Sequence, residues 1–402
     1  MDLNRSYTQQ IKKITILGAG TAGCISASFF KKNTQAEIEW IFDSGTPAQS
    51  VGEGSTLPLV KGLWSELNFR FTDLERMGGS IKKGIRKVGW SGPGDYIHEF
   101  PFGEHAMHFS SRMLQEWVPQ QLKNRAVNVI DKKITSHNDI DADLIIDCSG
   151  RPKDFTDFHQ AEYIALNAAH VVQSPCRGPL FDYTFCVARP FGWVFAIPLA
   201  DRTSCGYLYN ENINTLDEVM DDMKEFMEEF RFPYSDNQNN FSFKNYYRKE
   251  NYTDRVVYNG NASFFLEPME ATSVGAVDRI NRAVLDMLQH DVSLVSSNSW
   301  YIKDMKQTEH MIMLHYLKKG KYDTKFWDYA RERAERSLDE AVTSTKFRDL
   351  ISLSLKNYQQ AEFDTLVGPE YGQWPAYSYL QNLKGLDIAR EVDDKIRDFC
   401  EG

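Results

Sequence analysis

The segment Gly18-Ala19-Gly20-Thr21-Ala22-Gly23 has the residue types and spacing to hold a phosphate-bearing ligand. An apolar, β-branched run (13 to 17) leads into it, and a stretch of small and then apolar residues (21 to 32) leads out. The loop therefore falls at a strand-to-helix turn. Gly18 permits the tight turn, Gly20 lets a pyrophosphate reach the backbone, and Gly23 lets helix and strand pack closely. Residues 37 to 43 alternate in polarity and read as the next strand. Asp43 at its end lies about twenty residues beyond Gly23, the spacing of an acid that accepts from a ribose hydroxyl. The pattern predicts a βαβ unit that binds a dinucleotide. Two other places carry reactive side chains: the basic run Lys82-Lys83-Gly84-Ile85-Arg86-Lys87, and Glu270-Ala271-Thr272-Ser273.

The elements that must position these groups are legible in outline. Residues 141 to 150 (DADLIIDCSG) read as a buried strand running into a turn, with Asp147 near its end. Residues 193 to 198 and 203 to 209 read as two strands joined by a polar turn, Ala200 to Arg202. Leu216, Val219, Met220, Met223, Phe226, Met227 and Phe230 fall at helical spacing, with Thr215 and Glu218 as a capping box. Phe232-Pro233 ends that helix, and residues 235 to 240 read as a polar surface loop. From about residue 291 the pattern is mainly helical, broken at Gly320, Gly368 and Pro375. The expected fold class is α/β: a Rossmann-like module over 1–290, with an inserted sheet at about 160–255, followed by a helical region over 291–402.

The chain has 402 residues, enough for two packed modules, and a net charge of −10. An acidic chain lacks the broad basic face that binds nucleic acid, although backbone N–H groups can still hold a small anion. The first ten residues are polar, unlike a secretory signal, and no apolar run approaches the roughly 18 residues of a spanning helix. Cys24, Cys148, Cys176, Cys186, Cys205 and Cys400 form no C-x-x-C pair, and no Cys or Glu joins His105 and His108 at a metal-ligand spacing. A cytoplasmic protein with reduced thiols and no metal is expected.

Four segments, in order, give a more specific resemblance. They are Val51 to Pro58 (VGEGSTLP), Ile81 to Arg86 (IKKGIR), Gly192 to Pro198 (GWVFAIP) followed by Gly206 to Tyr209, and Phe265 to Ser273 (FLEPMEATS). Together with His315-Tyr316 and residues 323 to 327, they resemble the flavin-dependent tryptophan halogenases. The DCSG strand resembles the second FAD-contacting strand of glutathione-reductase-like flavoproteins. Phe195 stands where the family has a second tryptophan, and Ala271 and Ser273 replace the serine and glycine of its E-S-T-G segment.

The resemblance implies FAD, delivered reduced by a separate flavin reductase, and a halide ion (chloride, bromide or iodide) oxidised to hypohalous acid. By their places in the motifs, Lys82 would relay the halogen to a small electron-rich aromatic substrate, and Glu270 would assist at the ring. Lys83 and Lys87 are expected to be solvated. Thr272 and Ser273 would hold halide through their backbone N–H groups. Gly54, Ser55, Thr56 and Asp147 would join Gly18, Gly20, Gly23 and Asp43 around the cofactor. Trp193 and Phe195 would wall flavin from substrate. The lysine can act by hydrogen bonding or as a haloamine, and both stay open. An FAD monooxygenase of the same fold and a degenerate flavin-binding relative are the alternatives. No nucleic acid or membrane partner is implied, and self-association is left open.

Overall fold

The computed structural model describes residues 11–46, 53–91, 94–175, 181–318, 320–359, 366 and 368–402. The first ten residues, Val51, Gly52 and Cys176 lie outside them. By compactness the chain divides into two units, Met1–Ser80 with Ala106–Gln160 and Tyr246–Lys303, and Ile81–His105 with Ala161–Asn245 and Asp304–Gly402. This division follows contacts, not chain order. It groups 81–105 with the sheet and the C-terminal helices, because strand Gly84–Ser91 pairs in parallel with Tyr183–Arg189.

The first unit is built on a five-stranded parallel sheet. Its order is Val256–Tyr258, Leu144–Asp147, β1 (Lys13–Leu17), β2 (Glu37–Phe42) and Asn128–Asp131. A parallel sheet is covered on both faces, so its central strands are continuously apolar. Ile14, Ile16, Leu144, Ile145 and Ile146 are accordingly fully buried. Between β1 and β2 runs α1 (Thr21–Asn33), the crossover that the small-then-apolar pattern predicts. On α1, Ser26 donates to Asn281 at 3.0 Å, and Asn259 donates to the same side-chain oxygen at 3.0 Å. These buried bonds fasten helix Thr272–Gln289 to α1.

The second unit holds a seven-stranded sheet, ordered Gln238–Ser242, Ala168–Ser174, Thr203–Tyr209, Gly192–Pro198, Tyr183–Arg189, Gly84–Ser91 and Gly94–Glu99. Alternation sorts the central strands between two faces. Val194, Ala196, Cys205 and Tyr207 pack on Val219, Met223, Phe226 and Met227 of helix Leu216–Glu229. That helix starts on the predicted capping box, Glu218 N–H donating to Thr215 and Thr215 N–H to Glu218. Trp90 stacks edge-on with Tyr316 and Trp327 at 5.6 and 5.5 Å and lies 6.1 Å from Trp193.

One expectation is corrected. Of residues 235 to 240, expected as loop, 238 to 240 belong to an edge strand, Gln238–Ser242, antiparallel to Ala168–Ser174 with Ala168 opposite Ser242. An edge strand with one solvated side tolerates the polar run Gln-Asn-Asn, which hides it in the sequence. The C-terminal part is helical as expected, over Leu294–Leu314, Lys325–Ala341, Thr345–Lys356, Ala376–Gly385 and Ala389–Glu401. A short hairpin, Glu370–Tyr371 with Trp374–Pro375, interrupts it.

Candidate active site

The glycine loop joins β1 to α1 with little room to spare. Gly18 has φ of +100°, and a Cβ there would stand 2.4 Å from the Cys148 carbonyl oxygen. A Cβ on Gly23 would lie 2.0 Å from the Gly18 oxygen, which already accepts from Trp40 Nε1 at 2.8 Å. Side chains at 18 and 23 would therefore break the loop itself. At Gly20 no atom lies within 4 Å of the Cβ position. The loop thus leaves space at the position where the fingerprint brings a pyrophosphate to the backbone. Gly20 is also the N-cap of α1, has no side-chain cap, and is followed by no acid in the first turn. Unsatisfied N–H groups of that kind favour an anion.

Asp43 ends β2 and accepts from Gly45 N–H at 2.9 Å within the following turn. Asp147 ends the neighbouring strand, its oxygens accepting from Ser149 N–H and facing His137 Nε2, both at 2.8 Å. Burial opposes charge on Asp147, but the bonds from His137 and Ser149 outweigh it and hold the carboxyl below its usual range. Its carboxylate therefore shapes the turn that packs against Gly18.

Gly54 and Ser55 belong to the same unit. Gly54 pairs with His108 across two short strands, and Ser55 exchanges two bonds with Met107. Thr56 caps helix Leu57–Leu67, and its Oγ1 is buried without a hydrogen-bond partner. A buried hydroxyl is expensive to leave unpaired, so the atom marks a position suited to a ligand acceptor. Glu53, part of the Val51–Ser55 turn expected against the flavin but given no role of its own there, accepts from Thr21 Oγ1 at 2.8 and 3.0 Å. Burial pushes its carboxyl up to about 7 against bonds from Thr21 and Ser111.

The last group of this unit is the turn before helix Thr272–Gln289. Glu270 and Ala271 both hold left-handed backbone, at φ of +61° and +56°. Thr272 Oγ1 donates back to the carbonyls of Glu267 and Met269 at 2.9 and 2.7 Å. Glu270 is buried, and the helix begins with no side-chain cap and no acid in its first turn. The Thr272 and Ser273 N–H groups are thus first-turn donors of the sort that bind anions.

The second unit carries Lys82, Trp193 and Phe195, so Lys82 and Glu270 fall in different units. Lys82 is 1% exposed, with Nζ 5.8 Å from the Phe100 ring centre. Two residues on, a Cβ at Gly84 would meet the His98 oxygen at 2.2 Å, the steric reason for glycine in this motif. Trp193 and Phe195 are buried neighbours with ring centres 6.4 Å apart. Lys83 is half-exposed and paired with Asp182 at 2.6 Å, as a solvated lysine would be. Lys87 is a correction: it is fully buried and donates to His315 Nε2 and Asn382 Oδ1, both at 2.7 Å. His315 Nδ1 faces the Met311 and Ile312 carbonyls at 3.1 Å, so Nδ1 carries the proton and Nε2 accepts from lysine.

The glycine loop thus lies in one unit, and the buried lysine with the aromatic pair lies in the other. The family model described as tryptophan halogenase aligns with residues 13–134 and 120–400, and the chain belongs to that family. Tryptophan 6-halogenase SttH of Streptomyces toxytricini is 25% identical over 322 residues, 71% of this chain and 58% of that protein. This chain thus aligns with somewhat over half the length of that relative. Tryptophan 7-halogenase RebH of Lentzea aerocolonigenes is 21% identical over 95% of this chain and 91% of its own length. Among solved structures, a tryptophan halogenase from Shewanella frigidimarina superposes with a TM-score of 0.76 at 16% identity, covering 98% of this chain and 94% of that one. Xcc4156, a flavin-dependent halogenase from Xanthomonas campestris, gives 0.76 at 18%, covering 96% and 94%. These two likenesses establish the fold, a Rossmann-type α/β architecture with a helical C-terminal part.

Proposed function

We propose that this chain is a flavin-dependent halogenase acting on a small electron-rich aromatic compound. The observation that carries the reading is the burial of Lys82, the lysine that the motif resemblance assigns to the halogen. Gly18, Gly20, Gly23 and Asp43, with Gly54, Ser55 and Thr56, fit an FAD dinucleotide: the loop is open at Gly20 and Thr56 Oγ1 lacks an acceptor. Asp147 contributes by holding the turn after its strand.

When bound, reduced FAD would supply the two electrons and two protons with which dioxygen, halide and one further proton become hypohalous acid and water. The Thr272 and Ser273 N–H groups would hold the halide. Lys82 would then take up the oxidant, its ammonium donating a hydrogen bond to the oxygen or its amine exchanging a proton for halogen. Glu270 would accept the ring proton once halogen has added, and its charge would favour the cationic ring before that. Trp193 and Phe195 would exclude substrate from the flavin and water from the oxidant. A separate reductase, in the cytoplasm, would deliver the reduced flavin. Among the described residues no helix is long and apolar enough to cross a membrane.

The test supplies reduced FAD, oxygen and each halide to the protein with a panel of indoles, phenols and pyrroles. Mass spectrometry should find halogenated product that depends on added halide. Hydroxylated product alone would overturn the reading in favour of a monooxygenase.

A further inference from the structure

Glu53 stands at the loop proposed to bind the cofactor, yet it belongs to neither β1 nor α1. It lies on the short strand Glu53–Gly54, opposite Phe109, and reaches Thr21, the first residue of α1. The Thr21 hydroxyl has one hydrogen for two carboxyl oxygens, at 2.8 and 3.0 Å. Ser111 offers a second hydroxyl, so both donors to this carboxylate are neutral and neither balances its charge. Among the described residues no cation acts on it to favour charge. Thr21 and Ser111 offer hydroxyls, and the Cys24 thiol, one turn along α1, is itself pushed up by burial and by Glu53. His108 faces Gly54 with its Nδ1 on Ser80, and Arg112, next to Ser111, is solvent-exposed.

The α1 N-terminus carries the helix's partial positive charge, and a carboxylate on Thr21 competes for it with an incoming phosphate. We infer that Glu53 binds a proton when the cofactor's pyrophosphate settles on the α1 N-terminus, so that cofactor binding at this loop is proton-linked. The inference rests on the dinucleotide reading of the loop. In balance, one proton passes from solvent to the Glu53 carboxylate as the dianionic pyrophosphate binds, and nothing is oxidised or reduced. A carboxyl already held up to about 7 by burial makes that proton available near neutral pH.

Linkage fixes the sign. A ligand that favours the protonated form binds more weakly as pH rises past the free group's pKa, by about tenfold per pH unit at the limit. The experiment titrates the full chain with oxidised FAD, followed by flavin fluorescence, from about pH 6 to about pH 9. Affinity of the parent should be level on the acid side and fall above about pH 7. Glu53→Gln should bind with no such fall and exceed the parent on the alkaline side. A second measurement needs only the parent: with a pH indicator in weak buffer near pH 8, binding should take up close to one proton per site. PH-independent binding by the parent, or binding without proton uptake, overturns the link and leaves the cofactor reading standing. An unchanged slope in Glu53→Gln overturns the assignment to this residue. Absence of FAD binding by either protein at every pH overturns the cofactor reading, and the link with it.

Discussion

Three lysines within six residues illustrate what side-chain surroundings decide. Lys82 is buried beside Phe100, Lys83 is paired with Asp182 at the surface, and Lys87 is buried against His315 and Asn382. If Lys82 handles the oxidant, Lys82→Ala should still bind FAD and consume oxygen while losing halogenated product. Lys83→Ala should keep most activity, since its ion pair with Asp182 lies in solvent and is screened there. Flavin absorbance and product mass spectrometry together test this, and full halogenation by Lys82→Ala would sink the assignment. Lys87→Met should lower Tm by removing the buried hydrogen bonds to His315 Nε2 and Asn382 Oδ1, at a cost of about 2–4 kcal/mol. The run KKGIRK reads as solvated because each lysine alone prefers water. Strand parity held the missed signal: Ile85 and Lys87 share one face and are both buried, while Arg86 turns to Asp95 on the other. Glu53 gave no such signal, because its hydrogen-bond partners, Thr21 and Ser111, are remote in the chain.

Among the elements, those set by local rules were legible and those set by distant partners were not. The βαβ unit and the Thr215–Glu218 box follow from spacing alone. The edge strand Gln238–Ser242 exists only because Ala168–Ser174 pairs with it, and no local preference announces it. The turn into helix Thr272–Gln289 lies between these cases. Its motif was readable, but two successive left-handed residues, Glu270 and Ala271, were not. An alanine in that conformation costs roughly 1–2 kcal/mol against glycine, part of which glycine's greater freedom in the unfolded chain returns. Ala271→Gly should therefore raise stability by about 0.5–1 kcal/mol, read as a higher Tm. A lower Tm would mean that the Ala271 methyl packs better than its backbone conformation suggests.

At the scale of the whole molecule, buried carboxyls set how stability responds to pH. Burial pushes Glu53, Glu66 and Glu309 each up to about 7 from 4.5. Glu309 is the most enclosed: it accepts from the Tyr163 and Ile164 N–H groups, with Lys306 favouring its charge and Glu162 opposing it. Opposing the trio, Glu340 is drawn down to about 2 by His310, and Asp147 is lowered by its bonds from His137 and Ser149. Glu340 is 40% exposed, so solvent screens much of its effect. The two kinds of group act in separate windows. A raised carboxyl keeps its proton in the folded chain after the unfolded chain has lost it, so its contribution falls as pH rises from about 4.5 to about 7. The lowered carboxyls lose their contribution only on the acid side, as pH falls below their unfolded values. Stability should therefore decline between pH 5 and pH 8, where folded proteins often change little. For Glu309 the loss is at most about 3 kcal/mol. Glu309→Gln keeps an oxygen for the Tyr163 and Ile164 N–H groups but cannot ionise. Its Tm should match or trail the parent's near pH 5 and exceed it near pH 8. Parallel curves for the two proteins over that range would show that Glu309 is charged in the folded state at neutral pH.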